Sequence, residues 1–461
     1  MADQSAASAV LTLTPAGLYC PAGDFHIDPT RGADRALVTH GHSDHARPGS
    51  SRVLATAATL DIMRVRLGAR FAEAAQPVRY GETVSIGGAR ATFYPAGHVL
   101  GSAQILIEAG GRRVVVSGDY KRALDPTCAP FEPVPCDAFV SEATFGLPVF
   151  RHPPAADEVA KLLASLRIFP ERAHVVGAYS LGKAQRLLAL LAEAGWDRPV
   201  YIHGALEEMV ALYRAHGVRM AETRHVTAAD KPKLAGEIVL APPSAISDLS
   251  LRKFPDPLIA FASGWMRVRA RARQRGVELP LVVSDHADWP ELCATVQDVE
   301  CSELWVTHGS EDALVHWAQT RGLAARPLHM IGYGDEDEAL EAAVVEPAAD
   351  RRVDVDGVGA GGDGVGKPRR GQQLVGGEHM VALHAAGFAD ADLRAEGAQA
   401  ALFATRYLLA QKARGAPGLL AAFHLGAAQG QRVGGVHRQA ADVEPGVGGV
   451  GVARAVQRGT R

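Results

Sequence analysis

Short runs of apolar, often β-branched residues recur along the chain and alternate with stretches whose apolar residues follow a helical spacing. The runs are ALVT at 36–39, VVVS at 114–117, AFVS at 138–141, HVVGAY at 174–179, LIAFAS at 258–263, LVVS at 281–284 and ELWVT at 303–307. Each has the length of a buried strand, and the stretch KAQRLLALLAEAG at 183–195 has the pattern of a helix. The alternation predicts an α/β fold.

Many of these runs end directly in polar residues that can carry chemistry. The junctions are Thr39-His40, Ser117-Gly118-Asp119, Ser141-Glu142, Ser284-Asp285-His286 and Thr307-His308. Because α/β sheets build their sites on loops at strand ends, we expect these side chains to line one sheet edge.

The chain has 461 residues, which is longer than one ordinary domain, and 47% of them are hydrophobic, which is enough for a sizeable core. Residues 153–279 carry an alternation of their own, in which the helical stretch is followed by the strand-like RPVYIHG at 198–204. We therefore expect a main domain formed by 1–152 and 280–337, interrupted by a smaller inserted domain at 153–279.

Residues 338–461 differ in composition from the rest of the chain: they are rich in Gly, Val, Ala and Arg, contain no Ile or Trp, and show little periodicity. We interpret this segment as a separate low-complexity tail that is disordered, or as the product of a frameshifted reading of GC-rich DNA. Peptides from the tail, found by mass spectrometry of the purified protein, would decide between a genuine and an artefactual segment.

Composition limits the partners and the compartment. The N-terminal 17 residues lack a basic region followed by an apolar segment, and nowhere do eighteen apolar residues run together, so we expect a cytoplasmic protein with no membrane contact. Five cysteines without a CxxC pair favour reduced thiols over disulfides or a thiolate metal site. A net charge of −3 means that any nucleic-acid contact depends on local basic patches.

The stretch VTHGHSDHAR at 38–47 carries the strongest signal, because it spells HxHxDH. Imidazole and carboxylate side chains suit a borderline divalent cation, and a tight turn after a strand can direct these four, His40, His42, Asp44 and His45, at metal ions. A polar loop with satisfied histidines is the alternative, but four potential ligands in this order favour the metal site. Further candidate ligands stand at other strand ends: His98, Asp119 and His308.

Together these motifs resemble the metallo-β-lactamase superfamily, an αββα sandwich with metals at its sheet edge, over about residues 10–336. The resemblance implies two divalent ions, zinc or alternatively manganese. It implies that His40, His42 and His98 hold one ion, that Asp44, His45 and His308 hold the other, and that Asp119 bridges them. Asp28 then accepts a hydrogen bond from a ligand imidazole; an Asp that only shapes the turn before Pro29 is the alternative.

Three later elements, Glu142 in SEATFG, His286 in SDHAD and His308, resemble the motifs of the β-CASP branch, whose members are nucleases with a domain inserted over the metal cleft. Two metal ions, held in part by Asp44 and Asp119, would then share the attacking hydroxide. His286, held by Glu142, would donate a proton to the departing sugar oxygen. A purely structural His–Glu pair is the other interpretation.

Two segments are candidates for contact with nucleic acid. In AYSLGKAQRLL at 178–188, Ser180 and Lys183 at a helix start could bind phosphate, although an ordinary cap with a solvated lysine is equally consistent. In WMRVRARARQR at 265–275, arginines stand at every second position from 267 to 275, Arg267, Arg269, Arg271 and Arg273 among them. An extended segment would place them all on one side as a rail for phosphates, whereas a helix would spread them; a solvated charge run is the common alternative.

Within the branch the motifs look most like the bacterial ligase-associated DNA exonucleases, also described as similar to RNA 3′-end processing factors. That resemblance implies an exonuclease acting on DNA in repair, together with an ATP-dependent DNA ligase and a large helicase. The alternatives are a ribonuclease of the same branch, a small-molecule hydrolase of the glyoxalase or lactamase type, and a catalytically dead nucleic-acid-binding module.

Overall fold

The computed structural model describes residues 6–246 and 251–328, all within one compact unit. The predicted tail at 338–461 lies outside the described residues. Among the described helices none is long and apolar enough to cross a membrane.

The strands of the first half are β1 Thr12–Thr14, β2 Gly17–Cys20, β3 Phe25–Ile27, β4 Arg35–Leu37, β5 Ser50–Thr56, β6 Ala72–Val78, β7 Thr83–Ile86, β8 Ala89–Pro95, β9 Ala103–Ala109, β10 Arg112–Val116 and β11 Ala138–Ala143. The strands that follow are β12 His174–Gly177, β13 Val200–Ile202, β14 Thr223–His225, β15 Ile238–Ala241, β16 Leu258–Ala262, β17 Leu279–Leu281, β18 Glu303–Gly309 and β19 Ala324–Pro327.

The α-helices of the described residues are α1 Ala6–Val10, α2 Ala57–Leu67, α3 Ala155–Ile168, α4 Lys183–Glu193, α5 Glu207–Ala215, α6 Pro243–Ile246, α7 Arg269–Gln274, α8 Trp289–Asp298 and α9 Glu311–Gln319. Short 3-10 helices lie at Gly204–Leu206, Lys231–Lys233, Leu251–Lys253 and Gly264–Arg267. The predicted helix at 183–195 thus corresponds to α4.

Two sheets pack face to face and form the main core. Their strand orders are β1-β2-β3-β4-β5-β6 and β19-β18-β11-β10-β9-β8-β7. Side chains from both inner faces, such as Phe25 and Leu37 from one sheet and Phe93 and Trp305 from the other, belong to one buried cluster. Helix α2 covers the outer face of the first sheet, and α8 and α9 cover that of the second. The predicted αββα sandwich is confirmed.

A third sheet, β14-β13-β15-β12-β16-β17, has parallel neighbouring strands and its own core with α3 and α4. It is the smaller α/β element that the sequence predicted between the two parts of the sandwich, although the exact boundaries 1–152, 153–279 and 280–337 stay a prediction. The strand predicted at 281–284 is displaced, since the observed strand covers Leu279–Leu281. β17 ends at Leu281, where its pairing with β16 ends, so residues 282–284 leave the sheet instead of extending it.

The second sheet explains where the site forms. β7 to β10 are antiparallel, but β10, β11, β18 and β19 run parallel to one another. The carboxyl ends of parallel strands meet at one edge, which is where α/β proteins place their ligands. Asp119, Glu142 and His308 all stand at this edge.

Candidate metal centre

The histidine-rich loop begins where β4 leaves the first sheet. β4 ends at Leu37, three positions before His40, so the chain reaches the first histidine at the sheet edge. A turn follows, in which the N–H of Ala46 donates to the carbonyl of His42 at 2.8 Å. The turn brings the four polar side chains of the motif together, and all four are buried.

Three side chains reach this loop from the second sheet. Asp119 lies just beyond β10, and His98 lies in the turn between β8 and β9. His308 is part of β18, where the pairing with β11 shifts register, and its φ of +57° lies in the left-handed region. A bulge of this kind re-aims a side chain, and here it directs the imidazole toward the loop.

One group of donor atoms comprises His40, His42, His98 and Asp119, whose candidate ligand atoms all lie within 4.8 Å of one another. His42 Nδ1 is 3.1 Å from His40 Nε2 and 2.9 Å from His98 Nε2. Asp119 Oδ2 is 3.3 Å from His40 Nε2 and 3.7 Å from His98 Nε2. The structure thus brings these four candidate ligands together.

A second group adjoins the first and shares Asp119 with it. Asp119 Oδ2 is 3.4 Å from His45 Nε2, and Asp44 Oδ2 is also 3.4 Å from that nitrogen. His308 Nδ1 is 3.8 Å from Asp119 Oδ1. Asp119 therefore belongs to both sets of candidate ligands, and the bridging role that the resemblance implies stays a prediction.

Hydrogen bonds to Asp28 and Thr39 fix two of the imidazoles. His45 Nδ1 lies 2.7 Å from Asp28 Oδ2, and a carboxylate can only accept there, so Nδ1 is the donor and the other nitrogen of His45 faces Asp44 and Asp119. The Thr39 hydroxyl donates to Asp28 Oδ2 at 2.6 Å. Its oxygen then accepts from His40 Nδ1 at 3.1 Å, which leaves the lone pair on His40 Nε2.

Main-chain carbonyls fix the other two imidazoles. His98 Nδ1 is 2.9 Å from the carbonyl oxygen of Asp285, and His42 Nε2 is 3.4 Å from that of Leu181. A carbonyl oxygen has no proton to give, so both imidazoles must donate to it. The lone pairs of His98 Nε2 and His42 Nδ1 consequently face the cluster.

The directions of the imidazole lone pairs show whether these residues suit a metal ion. Three nitrogen lone pairs, on His40, His42 and His98, point at one another across contacts of 2.9 and 3.1 Å, which is repulsive without a cation between them. Ligands at zinc-like bond lengths around a tetrahedral ion are separated by about 3.3 Å. The donor set and its spacing fit a divalent cation held by nitrogen and oxygen.

Burial makes most of these imidazoles neutral. It lowers the pKa of His40 well below the usual range, the pKa of His98 to about 3, and the pKa of His308 as well. Burial acts in the same direction on His45, but the carboxylates of Asp44 and Asp119 outweigh it and raise the pKa of His45 well above its usual range. Neutral imidazoles are the form that binds metal, and the two carboxylates make the centre attract positive charge.

His286 lies against this cluster, with its ring centroid 4.6 Å from that of His98. Its Nδ1 is 2.9 Å from Glu142 Oε2, and Glu142 Oε1 accepts the Tyr120 N–H at 2.7 Å, so both carboxylate oxygens are engaged. Glu142 is fully buried. The pair that the sequence predicted is therefore formed at the edge of the metal centre.

The start of α4 differs from the predicted phosphate site. Lys183 is buried, with Nζ 2.9 Å from Asp285 Oδ1, so it is neither a phosphate-facing nor a solvated ammonium. The N–H of Gly182 donates to Gln185 Oε1 at 2.8 Å, and the carbonyl of Ser180 accepts from the Gln185 amide at 2.9 Å. The first of these bonds uses an N–H donor that an incoming phosphate would need, and the geometry does not support a contact by Lys183.

The arginine segment is helical, not extended. It lies in the 3-10 helix Gly264–Arg267 and in α7, so the condition for a one-sided rail is not met. Arg271 stacks over Trp265 at 4.0 Å and Arg275 over Phe261 at 5.2 Å. The exposed arginines of the segment are Arg267, Arg269 and Arg273.

No role at the metal centre was predicted from the sequence for Thr39, Leu181 or Asp285, although Thr39 and Asp285 stand at two of the strand-end junctions. Thr39 could have been found, because a hydroxyl directly before a metal-binding histidine is a natural partner for its ring. Leu181 and Asp285 act through main-chain carbonyls, which any residue carries, so no residue type signals them.

Parts of the chain are similar in sequence to known proteins. No protein-family model matches the chain. A probable DNA ligase of Opitutus terrae is 29% identical over 336 residues, which is 71% of this chain and 31% of the ligase. Cleavage and polyadenylation specificity factor subunit 3 of Dictyostelium discoideum is 31% identical over 159 residues, 32% of this chain and 20% of that protein.

The endoribonuclease YSH1 of Mycosarcoma maydis is 29% identical over 228 residues, 40% of this chain and 26% of that enzyme. Together with the buried His/Asp centre and the third sheet, these relatives fit the β-CASP branch of the metallo-β-lactamase superfamily. The chain spans less than a third of the length of each of these three curated relatives.

Relatives in the β-CASP branch use divalent metal ions, and the His/Asp groups of this chain fit such ions. Among solved structures, a protein of unknown function from Enterococcus faecalis V583 has a TM-score of 0.42 and 13% identity, and the match covers 65% of this chain and 78% of that one. A likeness this distant carries no functional argument.

Proposed function

We propose that the chain is a metal-dependent phosphodiesterase, an exonuclease that degrades DNA during repair. The observation that carries the proposal is the His286–Glu142 pair, buried beside a cluster of metal-binding side chains in a β-CASP protein. A hydrolase of small molecules needs the metal centre but neither this pair nor the third sheet. The alignment with part of a probable DNA ligase supports DNA as the substrate.

His40, His42 and His98 would hold one divalent ion, and Asp44, His45 and His308 the second, with Asp119 shared. Zinc suits this nitrogen and oxygen donor set, with manganese as the alternative. Bound ions of this kind lower the pKa of water and neutralise charge on the phosphoryl oxygens. Asp28 and Thr39 keep the ligand imidazoles in the tautomer that presents a lone pair.

His286 would complete the reaction as the proton donor. Glu142 accepts from His286 Nδ1 at 2.9 Å, which fixes the ring and assigns proton transfer to Nε2. The proton would go to the sugar oxygen that leaves when the phosphodiester bond breaks. Without that proton the leaving group is an alkoxide, which departs slowly.

The test is degradation of end-labelled DNA and RNA of one sequence, single- and double-stranded, by the full chain with Zn²⁺ or Mn²⁺. We expect DNA to be shortened from an end, with a ladder of intermediate lengths, and a chelator to stop the reaction. Internal cuts from the first time point would contradict the exonuclease, and hydrolysis of a chromogenic lactam or thioester without nuclease activity would contradict the whole proposal.

A ribonuclease of the same branch is the second candidate, since the relative from Mycosarcoma maydis is named an endoribonuclease. Faster cleavage of RNA than of DNA in the same assay would favour it.

We also propose an ATP-dependent DNA ligase and a large helicase as partners. Retention of purified ligase on the immobilised chain tests the first of these partners, and absence of retention would remove it.

A further inference from the structure

Helix α4 reaches from the third sheet into the metal centre of the sandwich. Its first residue, Lys183, places Nζ 2.9 Å from Asp285 Oδ1, and the two side chains are only 3% and 2% exposed. Lys183 Nζ also lies 4.9 Å from the centroid of the Tyr179 ring. One turn further along the helix, the guanidinium of Arg186 donates to the carbonyl of Ser284. Helix α4 thus contacts two consecutive residues of the loop at 284–286, namely Ser284 and Asp285.

Asp285 touches the metal centre as well as the helix. Its carbonyl oxygen accepts from His98 Nδ1 at 2.9 Å, which is the bond that directs the other nitrogen of His98 to the cluster. Its carboxylate lies 3.8 Å from His286 Nε2. Its ligand atom is also within 4.8 Å of those of His98 and His286. The main chain and the side chain of Asp285 therefore serve different partners.

A buried carboxylate is costly unless a charge balances it. Lys183 provides that charge for Asp285. Without the ammonium, the carboxylate would turn toward the nearby imidazoles of His98 and His286, and its main chain would move with it. The carbonyl would then no longer hold His98 in place.

We propose that Lys183 is a positioning residue for the metal centre: by holding Asp285, it fixes the orientation of His98 and so sets the affinity for metal. The proposal rests on the proposed function only in taking the His/Asp cluster as a metal site. The neighbouring Leu181 acts in the same sense, because its carbonyl accepts from His42 at 3.4 Å. The helical element of the third sheet would thereby control two ligands of the sandwich.

The test measures zinc affinity by competition with a chelating dye, using the full chain and the variants Lys183→Met, Asp285→Asn and the double variant. Loss of an outer partner of a ligand histidine weakens metal binding by about 10-fold or more. We expect about this loss in each single variant, and little further loss in the double variant because both changes break one pair. Lys183→Arg should recover part of the affinity.

Lys161→Met is the matched control, since Lys161 pairs with Glu158 at 3.0 Å, away from the ligands, and should leave zinc affinity unchanged. If Lys183→Met does not fold, the double variant, which buries no unpaired charge, decides the matter. Affinity within two-fold of the unmodified chain in the folded variants would overturn the proposal. A second result would also overturn it: Lys183→Met lowers DNA binding, both alone and combined with Asp285→Asn, while zinc affinity stays unchanged. Because the dye reports metal without substrate, an inactive nuclease would not affect this test.

Discussion

The metal centre and the arginine segment were both singled out by residue spacing, yet only one of them keeps its predicted arrangement. The metal centre gathers side chains from separate strand ends, and their donor atoms converge within 4.8 Å in each group. The arginine segment is contiguous, but its side chains go to different surroundings, two onto aromatic rings and three to the surface. The difference lies in how far each pattern depends on conformation. A tight turn after a strand leaves few ways to place HxHxDH, whereas alternate charges share a side only in an extended chain.

The largest effect should come from Asp119→Asn, because this residue belongs to both groups of donor atoms. Loss of bound metal removes several kcal/mol of transition-state stabilisation, so turnover of end-labelled DNA should fall by about 10⁴-fold. Elemental analysis of the purified variant should show a matching loss of metal. Asp157→Asn, at an exposed carboxylate on α3, is the control. Full metal content and full turnover in Asp119→Asn would contradict the shared role.

His286→Ala should separate chemistry from metal binding. A proton donor contributes at least about 10²-fold to turnover, so the rate should fall by this factor while the metal content stays as in the unmodified chain. Glu142→Gln should lower the rate in the same direction, since Glu142 accepts from the His286 ring at 2.9 Å.

His225→Ala, which removes an exposed histidine paired with Glu207 at 2.9 Å, provides the comparison for His286→Ala. Turnover equal in the two variants would leave His286 a structural role only. Loss of metal from His286→Ala would instead indicate that it serves the centre as a support for His98.

The sequence predicted the α/β fold and the candidate ligands because both depend on local signals, whereas the αββα sandwich was implied by the resemblance to the metallo-β-lactamase superfamily. Apolar runs mark strands, and reactive residues at their ends mark the sheet edge. The outer contacts were not predictable in the same way. Leu181 and Asp285 reach the centre from positions 139 and 187 residues away from the histidines they contact, through main-chain oxygens. The conformation of the arginine segment was left open between extended and helical, because its charges fit either conformation.

Thr39→Val should have a smaller effect than loss of a ligand. The hydroxyl links Asp28 to His40, and its removal frees the His40 ring to turn while valine keeps the shape of the side chain. Zinc affinity, measured with a chelating dye, should fall by about 10-fold. Thr92→Val removes a buried hydroxyl that contacts Thr83 at 2.8 Å, and zinc affinity should not change. Equal affinities in the two variants would show that the hydroxyl does not orient His40.

The smallest effect should come from the arginine segment, and it tests the comparison directly. Because the exposed arginines are the ones free to approach a phosphate backbone, replacing Arg267, Arg269 and Arg273 by Gln should reduce the salt dependence of DNA binding. The slope of log binding constant against log salt concentration should fall by about one unit for each phosphate that the variant no longer binds.

Arg271→Gln should instead leave the slope unchanged and lower the free energy of unfolding by about 0.5–1 kcal/mol, since Arg271 stacks on Trp265 at 4.0 Å. Fluorescence anisotropy of labelled DNA at several salt concentrations, with thermal unfolding of the same samples, measures both quantities. An unaltered slope in the triple variant would leave these arginines as a solvated surface, and a reduced slope in Arg271→Gln would mean that the helix presents a different face to the nucleic acid.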